Sequence, residues 1–132
     1  MAITAQELIN SSAKQAGILA EGQNLENGVN ADALKRLNRM IARFENNGIE
    51  LGLSTLIASD TLYIDDADEE ALEVQLTLRL MVRHRRPIDP GLAGAGRDAL
   101  TELQAKYNVI KTMNIDPAIT VKRHKNFDIN AG

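Results

Sequence analysis

The sequence contains no cysteine and no tryptophan, and aromatic residues make up only 3% of it. The first absence excludes disulfides, thiolate nucleophiles and thiolate metal ligands together, and it points to synthesis in the cytosol. The second leaves the core to Leu, Ile, Val, Met and Ala, a palette that favours helices. No run approaches the roughly 18 consecutive apolar residues of a membrane span, so no membrane partner is expected. The opening residues, MAITAQELINSSAKQAG, lack the basic start and apolar stretch of a signal peptide.

Recognisable catalytic and metal chemistry is missing too. His84, in RHRRP, and His124, in KRHKN, have no Cys, Asp or Glu at ligand spacing on a shared helical face. The run DDADEE has neither the alternating ligands nor the central glycine of a calcium loop, and it reads as the solvated, dipole-complementing start of a helix. GLAGAG at 91–96 lacks the Lys-Ser/Thr ending of a phosphate loop and reads as a flexible or tightly packed helix start. No catalytic residue, cofactor or metal site is therefore expected.

What the sequence does hold is helical punctuation. Thr4 and Glu7 have capping-box spacing, Leu8, Ile9, Ala13 and Ala16 follow on one face, and Gly17 supplies a stop. A second helix runs through ADALKRLNRMIARFENNG, with Asn30 or Asp32 as the expected cap. Leu34, Leu37, Met40, Ile41 and Phe44 form its apolar side, and Lys35, Arg36, Arg39 and Arg43 its basic side. Residues 49–64 lack helical period. A third helix, apolar on more than one face, carries Leu72, Leu76 and Leu80 as one row, and such a helix is central or lies in an interface. After Pro87, Pro90 and Gly91, a fourth stripe runs through Leu92, Ala99, Leu100, Leu103, Tyr107 and Ile110. The expected fold is all-α: a small bundle of about four helices over 1–113, with a loop or short hairpin at 49–64 and an extended C-terminal arm over 114–132.

Charge is distributed unevenly around a formal net of −3. Residues 49–78 hold eight acids and no Lys or Arg, while 79–97 hold five arginines and one acid. The arm combines Ile115, Ile119, Val121, Phe127 and Ile129 with Lys122, Arg123 and Lys125. Segments that stay disordered are poor in such apolar groups, so this composition suits an arm that binds another chain.

The succession TAQELINSSAKQAGI, a polar connection, and ADALKRLNRMIARFENNGIELGL resembles the N-terminal half of the head-to-tail adaptor proteins of tailed bacteriophages, also called head-completion or packaged-DNA-stabilisation proteins. The matching positions are Asp32, Ala33, Leu34, Leu37, Asn38, Met40, Phe44, Gly48 and Ile49. The third helix, running into arginines before Pro87, is similar to the family's central helix. The chain departs from the family pattern in having no second aromatic beside Phe44.

This resemblance implies a non-enzymatic virion protein at the head-tail junction, assembled in the host cytoplasm. It implies a ring of copies, commonly a dodecamer, that sits under the portal protein, retains packaged DNA and docks the next tail or nozzle component. The arm residues just named would meet the portal. Asp65, Asp66, Glu69 and Glu70 of one subunit would meet Arg79, Arg83, Arg85 and Arg86 of the next, and Lys35, Arg36, Arg39 and Arg43 would face the DNA channel or a neighbour. A small helical DNA-binding regulator using the second helix for recognition is the alternative; it requires salt-dependent duplex binding, and the net charge of −3 counts against it.

Overall fold

The computed structural model describes residues 2–112, with side chains as far as Tyr107. Helix α1 (Ala5–Gln15) begins at the expected capping box: the Glu7 amide donates to Thr4 Oγ1 at 3.2 Å, and the Thr4 amide donates to Glu7 Oε2 at 3.3 Å. Helix α2 spans Asn27–Asn46 and starts earlier than the sequence suggests, with Glu26 as an N-cap that makes no side-chain bond. The two expected caps lie inside the helix, and their side chains bond elsewhere. Asn30 exchanges amide hydrogen bonds with Gln6 of α1, at 2.8 and 2.9 Å, and Asp32 faces Arg36 and Arg83.

Helices α1 and α2 end in the same way. Gly17 and Gly48 adopt φ of 80° and 89°, and the amides of Ile18 and Ile49 reach back to the carbonyls of Ala13 and Phe44. This is the Schellman termination, in which a glycine takes the left-handed position and an apolar residue follows it. Helix α3 (Asp66–Arg83) repeats the hydrogen bonding, with the Arg86 amide donating to the Met81 carbonyl at 2.8 Å, but it places Arg85 at the left-handed position with φ 55°. A left-handed L-residue costs about 1–2 kcal/mol, of which the greater chain entropy of glycine returns a part. Arg85→Gly is therefore expected to stabilise the fold by about 0.5–1 kcal/mol, read as a higher urea midpoint. An unchanged or lower midpoint would contradict it.

The all-α architecture follows from α3, which packs against each of the other helices. Leu72, Leu76 and Leu80 are fully buried along one row, together with Leu8, Ile9, Leu37, Met40, Ile49 and Leu62. Ser12 and Thr77 are buried where α1 crosses α3, and the Thr77 hydroxyl lies 2.7 Å from the Glu73 carbonyl and 3.0 Å from Gln15 Oε1. Helix α4 (Pro90–Thr112) opens with Pro90, whose missing amide is harmless at a first turn, and Asp89 accepts from the Leu92 amide at 3.3 Å. It folds back on α3 and leans chiefly on that helix. The glycine-rich start is tightly packed: Gly96 is buried, and its carbonyl accepts from Gln75 Nε2 at 2.6 Å.

Residues 49–64 form a loop, as expected, but its extended piece does not pair within the loop. Strand β2 (Thr61–Leu62) runs antiparallel to β1 (Ile3–Thr4), with Ile3 opposite Leu62. Asn38 of α2 pins the loop's middle, donating to the Leu56 carbonyl at 3.0 Å and accepting from its amide at 2.8 Å. No helix among the described residues is long and apolar enough to cross a membrane. The expected arm, 114–132, lies outside the described residues.

Candidate functional site

The basic side of α2 divides in two. Lys35 and Arg39 are exposed and border a shallow groove floored by Ala31, Leu34 and Ala42. Arg36, half-buried, and Arg43, itself exposed, lie on the side toward α3, where Asp32 is near Arg83 and Arg43 is near Arg79. Asp32 Oδ2 accepts from Arg36 Nε at 3.0 Å and lies 3.4 Å from Arg83 Nε. Desolvation pushes the Asp32 carboxyl up, but the hydrogen bond and charge of Arg36, then those of Arg83, outweigh it and hold the group below the usual range.

One turn further along α3 the balance of charge is lost. Arg79 is half-buried and its Nε is buried without a hydrogen-bond partner. Burial, and then the nearby charge of Arg43, pull its guanidinium below its ordinary value. An arginine stays protonated in proteins, so this nitrogen is a cationic donor with no acceptor beside a second cation. The seam between α2 and α3 thus carries Arg36 and Arg83 on the Asp32 carboxylate and, separately, Arg79 beside Arg43.

The acid-rich start of α3 is used differently along its length. Asp68 is 3% exposed; it accepts from Tyr107 OH at 2.6 Å and from Lys106 Nζ at 3.1 Å through both its oxygens. Lys106 also donates to Asp65 at 2.8 Å, so that one of the expected inter-subunit acids is engaged within the chain. Those bonds raise Lys106, through Asp65 and then Asp68, and the Lys106 bond holds the Asp65 carboxyl below the usual range. Burial, and then the Asp68 bond, push the Tyr107 hydroxyl up to about 12. Asp66 and Glu70 are exposed and Glu69 half-buried, while Arg85 and Arg86 are exposed at the opposite end of the helix.

The Tyr107 shift fixes the sign of an alkaline effect. The unfolded phenol ionises near pH 10 and the folded one near 12, so the folded state retains a proton that the unfolded state releases. The stability this contributes is whole below pH 10 and is lost as pH rises toward 12. Urea midpoints measured between pH 9 and 12 should fall, and the fall should be shallower in Tyr107→Phe. Equal slopes would contradict the assignment.

Several residues that shape these clusters are not distinguished by the sequence patterns of charge alone. Asp68 continues the Leu72, Leu76, Leu80 row one turn toward the N-terminus, a spacing that signals burial. Lys106 and Tyr107 carry no such signal toward the acids, because their partners lie 38 to 41 residues away. The eight arm residues, Ile115, Ile119, Val121, Lys122, Arg123, Lys125, Phe127 and Ile129, lie outside the described residues. Among the described residues, no group of three or more His, Cys, Asp or Glu is placed to hold a metal ion. No protein-family model matches the chain, and no curated protein is detectably similar to it in sequence.

Proposed function

We propose that the chain is a head-to-tail adaptor subunit of a tailed bacteriophage. It is a structural, non-enzymatic virion protein that forms a ring under the portal protein, helps retain packaged DNA and offers a platform to the next tail component. The single observation that supports a ring-forming role best is the seam at Arg79: a half-buried arginine whose Nε is buried without an acceptor, beside the exposed Arg43. The repulsion within this cation pair would be relieved by an acidic group of another molecule that reaches it from the exposed Arg43 side. Glu69 and Glu70, at the far end of the same helix, supply acids of the required kind on a neighbouring copy. A contact that joins one end of a subunit to the other end of the next is heterologous, and it closes into a ring when its rotation permits.

The 49–64 loop fits the role of tail platform in this reading. It displays Ile57 and Tyr63, 61% and 83% exposed, on backbone held by Asn38 and by the pairing with β1. Large apolar groups presented on a fixed loop are suited to protein docking.

Sedimentation velocity of the protein mixed with the portal protein encoded beside it tests the reading. The portal boundary is expected to shift with saturating, ring-like stoichiometry. Arg79→Glu should abolish the shift, and deletion of 114–132 should abolish it while leaving the helical circular dichroism intact. Absence of co-sedimentation at micromolar concentrations would overturn the adaptor reading; sequence-dependent duplex binding with a steep salt response would then favour the regulator.

A further inference from the structure

The end of α3 and the connection between α1 and α2 enclose a groove of about 430 Å³, within the range of small-molecule sites. One wall carries His84, Arg85 and Arg86, and the other carries Ile18, Leu19, Leu25 and Val29 interleaved with Gln23, Asn24 and Glu26. We propose that this groove binds a phosphomonoester, with Arg85 and Arg86 holding the phosphate and the apolar wall holding its organic group. The site is separate from the seam at Arg79, and it gives Arg85 and Arg86 a ligand in place of the subunit contact that the adaptor resemblance implies for them.

Three observations converge on it. The side chains of Arg85 and Arg86 form no ion pair among the described residues, although both line the groove. His84 Nε2, on the same wall, is buried and lacks a hydrogen-bond partner. Paired guanidinium forks match the oxygens of a phosphate dianion better than any neutral ligand, and a small shift of the wall on binding would give the histidine nitrogen the partner it lacks.

The third observation comes from comparing the chain with itself. Where α1 and α2 end in Gly-Ile, α3 ends in Arg-Arg with the same hydrogen bonds. A cheaper residue at position 85 and an apolar one at 86 are therefore compatible with this backbone, and the chain uses two cations instead. A departure from local preference that is set against a groove is the kind that ligand binding accounts for. Glu26 is the one acid among the lining residues, and it opposes an anion.

The probe is phenyl phosphate, titrated into the full chain and followed by amide proton and nitrogen resonances. Saturable shifts are expected at residues 25–29 and 84–86, with weaker binding of inorganic phosphate, which leaves the apolar wall unused. Arg86→Gln should weaken phenyl phosphate about fivefold or more, since one charge-assisted fork is lost. Arg85→Gly should weaken it comparably while raising the melting temperature, which separates loss of binding from loss of folding. Glu26→Gln should tighten it. Absence of a saturable shift, shifts confined to other residues, or unchanged affinity in both arginine variants would overturn the site. Inorganic phosphate binding as tightly as the ester would overturn the assignment to a phosphomonoester.

Discussion

Asp68→Ala is expected to destabilise the protein by about 2–3 kcal/mol, because it removes a buried carboxylate that accepts from two side chains. Tyr107 OH loses its 2.6 Å acceptor, and Lys106 keeps only the exposed Asp65. The loss should be concentrated in α4, since that helix leans chiefly on α3 and these bonds tie its later turns to the start of α3. Amide exchange should therefore accelerate in 97–107 before it does in α1 or α2. Asp68→Asn keeps an acceptor for the tyrosine and should cost less. Combining Asp68→Ala with Tyr107→Phe should be less than additive, as both remove one hydrogen bond. A uniform rise in exchange across all four helices would contradict the placement of this cluster as the anchor of α4.

Local chemistry made much of this fold legible. The Thr4 and Glu7 capping box, the glycine stops at 17 and 48, and the Leu72, Leu76, Leu80 row each act over a few residues, and each appears where the spacing puts it. The start of α2 was less legible, because Asn30 and Asp32 are good caps whose side chains bond to Gln6, Arg36 and Arg83 instead. Partners on α1 and α3, and in part on α2 itself, overrode a local preference. The pairing of β2 with β1 joins residues almost 60 apart, which no short-range pattern reports.

The site was legible by charge and not by geometry. Sequence separates an acidic from an arginine-rich stretch, yet it cannot assign Asp65 to Lys106 or divide the basic side of α2 into Lys35 and Arg39 against Arg36 and Arg43. Those assignments depend on how two helices are rotated about their axes. Arg79 shows the limit most clearly: in sequence it is one of five arginines within 79–97, and only the folded chain gives it a buried nitrogen and, from α2, a cationic neighbour.

Gly96→Leu is expected to cost about 3 kcal/mol, since overpacking a close helix crossing forces backbone movement. A Cβ built at Gly96 falls well inside contact distance of Leu78 Cδ1, the end of a side chain able to turn. Gly96→Ala therefore sets two effects of similar size against each other: the shift of Leu78, and the gain of about 1 kcal/mol from replacing glycine within a helix. It should be close to neutral. The larger leucine has no such escape, because Gln75 Nε2 lies 3.7 Å from the built Cβ and donates to the Gly96 carbonyl at 2.6 Å. Parting α3 from α4 far enough to admit it stretches that bond and loosens Leu103, which is 2% exposed. Urea midpoints for the two variants separate the cases. A leucine tolerated as well as an alanine would mean that the α3–α4 spacing is set by residues other than Gly96.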